Sequence, residues 1–221
     1  MNDDKINTVI DFTNQVTQHM RDKFQNPDAQ LAWDVLDFRK TLTHESDRAA
    51  ALMSAAYLDE QLKTLLNRKL VDDAKVKERI LGTSGAIDSF SSRIDLAYLL
   101  GLIPKNFRDD LELIRRIRNE FAHTAQKMDF ETDAIKSRCF LLKSAFGTEN
   151  MDAHQKFLRT SIVIATKLTN FIIDNNAIEA MLDYDDSVSL KGLSLIDEFV
   201  KENFDIDMAE LRGYGTQAVD D

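Results

Sequence analysis

The chain has few turn-forming residues, with only 7 glycines and 2 prolines in 221 positions, and this scarcity limits which folds it can adopt. Both prolines, Pro27 and Pro104, lie where helical patterns would have to break in any case. No segment alternates apolar and polar residues as a half-buried strand would. Before the first break, apolar residues recur at helical spacing at Val9, Phe12, Val16 and Met20. The sequence therefore predicts an all-α protein made of long helices.

The helical pattern divides into three parts. We expect residues 1–45 to form two N-terminal helices packed on the core, residues 46–180 to form a helical core, and residues 181–221 to form an extension with short helices. Capping and breaking signals predict four core helices, from Ser46 or Asp47 to about Leu70, Ser89 to Leu100, Thr132 to Ala145 and Met151 to Asp174. A fifth helix, capped by Asn106, has a predicted buried side of Phe107, Leu111, Ile114, Ile117, Phe121 and Ala122.

The C-terminal extension is strongly acidic. Eleven acids and three bases within 181–221 give it −8 of the chain's formal net charge of −10. The other residues are close to neutral together, so the overall acidity does not exclude an RNA ligand. Short amphipathic stretches are indicated by Leu193, Ile196, Phe199 and Val200 and by Met208 and Leu211. The extension either competes with phosphates for a basic cluster or is a solubilising segment that packs its apolar residues on the bundle.

Several sites and locations are disfavoured by the sequence. The single cysteine, Cys139, has no partner for an intramolecular disulfide, and its apolar neighbours favour a buried inert thiol over a nucleophile. The N-terminus lacks a signal-peptide pattern, and no apolar run reaches the roughly 18 residues of a membrane span. We therefore expect a cytoplasmic protein that does not enter a membrane. The sequence predicts neither a metal site nor a cofactor. No nucleotide-binding motif is present, and three histidines are isolated from one another: His19, His44 and His154.

The segment 118–123, Arg-Asn-Glu-Phe-Ala-His, combines a guanidinium and an imidazole at the end of a predicted helix. At about 100° per residue, Arg118 and His123 lie roughly 140° apart around a continuous helix, so they flank a broad face. If the helix loosens near Ala122, both side chains can converge on one phosphate. The guanidinium then offers paired donors and the imidazole a proton relay, with Asn119 orienting either group.

Two further arginines, Arg115 and Arg116, precede this segment and complete a basic cluster. The cluster suits a phosphate backbone, which makes Arg115 and Arg116 candidate RNA-binding residues. The alternative is structural, because arginine and histidine in a last helical turn also cap carbonyls and pair with acids such as Glu112 or Glu120. Another predicted helix carries three polar residues. They are either buried partners of the helix that contains the segment 118–123 or part of a solvated, ion-paired face: Tyr57, Asp59 and Glu60.

Two resemblances extend this interpretation. The segment 118–123 resembles the signature of HEPN domains, in which an arginine and a polar residue precede a histidine. Three segments, 55–62, 94–103 and 113–123, followed by 129–135, resemble mannitol-repressor-like proteins in the same order. This second resemblance covers roughly residues 48–145, and it implies a HEPN-like, mannitol-repressor-like helical bundle.

The resemblances imply different functions. HEPN proteins are commonly dimeric, metal-independent ribonucleases, which implies a homodimer with Arg118, Asn119 and His123 as catalytic residues and single-stranded RNA cleaved by attack of the ribose 2′-hydroxyl. Mannitol-repressor-like proteins are described as transcriptional regulators, which implies a non-catalytic protein that binds a protein or nucleic-acid partner. Our hypothesis is an RNA-cleaving regulatory or defence protein. The alternatives are that regulator and an antitoxin-like or immunity-like interaction protein.

Overall fold

The computed structural model describes residues 3–124, 128–174, 177–183 and 187–208. Over these residues the chain is helical and contains no strand, which confirms the predicted all-α class. None of the described helices combines the length and the apolar character needed to cross a membrane. The helices are α1 (Asp3–Lys23), α2 (Pro27–Leu42), α3 (Asp47–Lys69), α4 (Ala74–Leu81), α5 (Phe90–Leu99), α6 (Lys105–His123), α7 (Asp133–Phe140), α8 (Ala153–Ile173) and α9 (Ser187–Phe204).

The chain divides into two compact units, Met1–Glu179 and Ala180–Asp221. In the second unit, α9 contains the predicted amphipathic stretch around Leu193 to Val200 as one helix of 18 residues. Its apolar side chains at Leu193, Ile196 and Phe199 are exposed. Of the second predicted stretch, Leu211 lies outside the described residues.

The core of the first unit is organised around α3. This helix packs against α8, α6 and α5, while α2 packs against α8. Apolar residues cover several sides of α3, and Leu58, Leu62 and Leu65 have no exposed surface. In α1, by contrast, Phe12 and Val16 are 66% and 43% exposed, so the packing of the first helix on the core stays a prediction.

Local capping explains where most helices begin. Of the two predicted caps of α3, Ser46 and Asp47, the structure has Ser46, whose side chain accepts a hydrogen bond from Ala49 N. The predicted cap at Asn106 is wrong. The helix begins one residue after Pro104, whose fixed φ suits a helix start, and Asn106 instead donates a side-chain hydrogen bond to Ser144 Oγ at 3.4 Å.

The predicted end of α7 at Ala145 is also wrong, because the helix ends at Phe140. The cause is Asp110 of α6, which is 1% exposed. Its carboxylate accepts hydrogen bonds from Lys143 N at 2.9 and 3.1 Å and from Ser144 N at 2.6 Å. Amides that donate to Asp110 are unavailable to the carbonyls of a continuing helix, so α7 stops before them.

Burial of unpaired hydroxyls gives a stability prediction. Thr160 is fully buried on α8, and its Oγ1 has no hydrogen-bond partner among the described residues. Thr160→Val keeps the shape of the side chain and removes the unsatisfied group, so we expect the free energy of unfolding to rise by about 1 kcal/mol. Urea denaturation measures the change. The control is Thr166→Val on the same helix, where an exposed hydroxyl already donates to Ile162 O, and a loss of stability in Thr160→Val would contradict the prediction.

Candidate functional site

The candidate site occupies the last turns of α6, and the buried side of that helix fixes its orientation. Phe107, Leu111, Ile114, Ile117 and Phe121 are all buried, as the helical spacing predicts. Ala122 is exposed, so its predicted place on the buried side is wrong. The core contact of the helix thus ends at Phe121, and the polar residues on either side of this stripe are held near the surface.

Arg118, Asn119 and His123 are all accessible from this surface. Arg118 and Asn119 are half-buried, and His123 is exposed. The helix stays regular through His123 and ends with extended backbone at Thr124, beyond the point where the sequence suggested loosening. Neither Arg118 nor His123 makes a side-chain hydrogen bond or ion pair within the described residues. A continuous helix keeps the two side chains roughly 140° apart around its axis.

The basic cluster is partly neutralised by Glu112 of the same helix. Arg115 donates to the carboxylate of Glu112 at 3.0 to 3.3 Å, and Arg116 Nε lies 3.9 Å from it. The hydrogen bonds to Glu112 raise the pKa of the Arg115 guanidinium above its ordinary value, so that side chain stays charged and paired. The exposed side of α6 therefore carries a mixture of charges.

A second ion pair joins the segment 118–123 to the next helix, α7. Glu120 Oε1 lies 3.1 Å from Arg138 Nη2 on α7. Both side chains are partly exposed, so this pair contributes little to stability by itself. Its effect on the site is to place another acid beside the basic residues of α6.

The first turn of α3 binds the chain just after the segment 118–123, and the sequence did not indicate this role. Arg48 Nη2 donates to Thr124 O at 2.6 Å, directly after His123. Asp47 Oδ2 accepts from Phe130 N at 2.9 Å, and His154 Nδ1 lies 3.6 Å from the other oxygen of Asp47. The two hydrogen bonds join residues 76 and 83 positions apart, so no local pattern indicates them.

Other candidate residues have structural surroundings. Asp59 pairs with Arg93 of α5 at 2.7 Å, which fits the ion-paired interpretation rather than a partner of α6. Tyr57 stacks on Phe38 with ring centroids 4.0 Å apart, and burial raises its pKa to about 12. Cys139 is buried, and this burial raises the pKa of its thiol to about 12, so the reactive thiolate is scarce at neutral pH. Within the described ranges no group of three or more His, Cys, Asp or Glu residues could hold a metal ion.

Over the described residues, the bundle and the exposed side of α6 define an all-α protein. A family model described as mannitol repressor matches residues 40–172, which is more than half of the chain. The chain belongs to the mannitol repressor family. The match extends beyond the resemblance found in the sequence and includes the whole of α6, while α1 and α9 lie outside it.

One solved structure gives a further likeness. It is the X-ray structure of the MtlR–HPr complex from Escherichia coli, which contains a chain 20% identical to this one. The alignment covers 63% of this chain and 99% of that chain, with a TM-score of 0.47. A comparison with curated proteins gives no match. The HEPN resemblance of residues 118–123, and the roles it implies for Arg118, Asn119 and His123, stay predictions.

Proposed function

We propose that this chain is a cytoplasmic transcriptional regulator that acts by binding a protein partner rather than by cleaving RNA. The observation that carries the proposal is the mixed charge of the exposed side of α6. Arg115 and Arg116 face Glu112, and Glu120 faces Arg138. Alternating acids and bases suit recognition of another protein, because charge complementarity gives specificity there. A phosphate backbone favours a surface of one sign.

Helix geometry supports the same proposal. General acid–base cleavage of RNA needs the proton-transfer group and the stabilising cation at one phosphate. The regular path of α6 through His123 separates Arg118 and His123 around the helix instead of directing them at one point. Direct reading of DNA is disfavoured as well, since no exposed basic recognition helix follows a short turn in the sequence.

The regulatory proposal is tested by transcription. Deleting the gene should change transcript levels of mannitol-uptake genes in cells shifted to mannitol, and the full-length protein should restore them. An unchanged transcriptome after deletion would overturn the proposal. For the protein partner, purified HPr is one defined probe, since it forms the complex with the E. coli relative; calorimetry measures binding.

A second candidate function, metal-independent RNA cleavage, is favoured by the accessibility and the lack of described partners of Arg118 and His123. In this reaction His123 takes the proton of a ribose 2′-hydroxyl, and the oxygen attacks the adjacent phosphate. The bond to the 5′ oxygen breaks, that oxygen receives a proton, and a 2′,3′-cyclic phosphate remains. Arg118 stabilises the negative charge of the intermediate. Two copies related by a two-fold axis would have to place both groups at one phosphate.

An RNA-cleavage assay in EDTA separates the two functions. We expect the protein, Arg118→Ala and His123→Ala to leave single-stranded RNA equally intact, because the geometry within one chain does not assemble an acid–base site. Cleavage by the unmodified protein that both substitutions abolish, with unchanged thermal midpoints, would establish the ribonuclease instead. Sedimentation supplies the control, since a composite site requires about twice the chain mass of 25.2 kDa.

A further inference from the structure

A groove between α2 and α8 is lined by apolar side chains and arginines, whereas the exposed side of α6 carries charges of both signs. It has a volume of about 410 Å³, and its floor is formed by the half-buried aliphatic side chains of Leu158, Ile162 and Val163 on α8. Phe146, from the connection between α7 and α8, adds a ring that is 74% exposed. Covering a surface of this kind with another apolar surface is favourable, because apolar area is removed from water.

The charges at this groove have one sign. Its lining includes Arg39 of α2 and Arg159 of α8 and contains no acidic residue. Within the described residues neither guanidinium makes a hydrogen bond or an ion pair, although that of Arg159 lies over the Phe146 ring at 5.1 Å. Stacking on a ring leaves the in-plane N–H donors of an arginine available to a carboxylate. The groove is thus an apolar strip with an arginine from each helix.

We propose that this groove, which we call the α2–α8 groove, is a second docking site of the chain besides the exposed side of α6, and that it binds a protein partner that presents an acidic amphipathic helix. The proposal rests on the regulatory function proposed above. Apolar residues of the helix fill the strip above Leu158 and Ile162, and its acids pair with Arg39 and Arg159. Recognition of a helix in an apolar groove between two helices is a recurring binding mode.

Charge and shape favour a helix over RNA. The carboxylates of an acidic helix and the phosphates of RNA can both pair with the two arginines. Single-stranded RNA, however, is bound by stacking its bases on exposed rings. Here the floor is aliphatic, and the one exposed ring, Phe146, already has Arg159 over it. The aliphatic strip matches leucine or phenylalanine side chains spaced along one face of a helix.

The test uses full-length protein and a display library of helical peptides of about 18 residues, or five turns, with a fixed apolar face. The positions beside that face are randomised among Asp, Glu, Lys and Arg. We expect selected peptides to be enriched in Asp and Glu. Binding of the best peptide should weaken at least about tenfold in Arg39→Glu with Arg159→Glu, since two charge pairs become repulsive at a partly covered site. Phe146→Ala should also weaken binding without lowering the thermal midpoint.

A matched control is Lys75→Glu with Arg79→Glu on α4, which makes the same change in net charge at exposed positions outside the groove. It should leave affinity unchanged. Selection of basic or uncharged peptides, or equal binding by both double variants, would overturn the proposal. So would binding of a labelled single-stranded RNA that only the groove variant loses. If the groove variant loses the peptide yet restores transcription fully in the deletion strain, the groove is not the regulatory site, while the regulatory function stands.

Discussion

Phe121→Ala should lower the free energy of unfolding by about 3–5 kcal/mol, the range for removing a large aromatic side chain from a core. Phe121 has no exposed surface, and its ring meets that of Phe130 edge-on with centroids 5.3 Å apart. Phe130 in turn contacts Phe157 and stacks on His154. Truncation therefore leaves a cavity in a group of rings that cannot close around it. Urea denaturation of the full-length chain measures the loss.

The control for this prediction is Phe12→Ala on α1, where the ring is 66% exposed and the change should be small. A loss below about 1 kcal/mol in Phe121→Ala would show that the ring is not part of the core. The result also bears on functional work. Phe121 lies inside the segment 118–123, so a variant of that segment can lose activity by unfolding, and each one needs a stability measurement beside its assay.

Asp110→Ala should destabilise the protein by about 3 kcal/mol, because it removes the charged acceptor of hydrogen bonds from two backbone N–H groups. The amides are those of Lys143 and Ser144, and Asp110 is 1% exposed. Asp110→Asn should lose less, since one side-chain oxygen still accepts. Hydrogen exchange at the two amides reports the local effect, and urea denaturation reports the global one.

The neighbouring Asp109 provides the matched control. Its carboxylate is exposed and hydrogen-bonds Lys105, which lowers its pKa below the ordinary value. Asp109→Ala should leave the thermal midpoint unchanged, because a solvent-exposed ion pair on a helix contributes little. Equal destabilisation by the two alanine variants would mean that Asp110 does not organise the chain after α7.

Local signals in the sequence account for most of the helical framework. The apolar spacing from Phe107 to Phe121 predicts the buried side of α6, and Ser46 marks the start of α3 because a side-chain cap needs only nearby residues. The end of α7 was not predictable in this way. It depends on Asp110, which reaches Lys143 and Ser144 only after α6 and α7 have packed together.

The same distinction holds for the candidate site. The pairing of Arg115 with Glu112 follows from their spacing on one helix, although the alternative drawn from the sequence paired Glu112 with the arginine or histidine of the last turn. Arg48 and Thr124 are far apart in the chain. The sequence therefore predicted the end of the segment 118–123 but not the contact with the Arg48 side chain that fixes it. The α2–α8 groove was missed for a related reason, since Arg39 and Arg159 belong to helices that meet only in the fold.

The attachment of α6 at both ends restricts changes in its length as well as in its composition. Asp110 anchors its beginning to Lys143 and Ser144, and Arg48 binds the chain just beyond its end. Inserting one residue between Asp110 and Arg118 would turn the remainder of the helix by about 100° and move it along its axis by about 1.5 Å. That rotation would carry Phe121 out of the ring cluster and shift Thr124 away from Arg48. Homologous chains that keep both anchors should therefore show substitutions in this segment but no insertions or deletions.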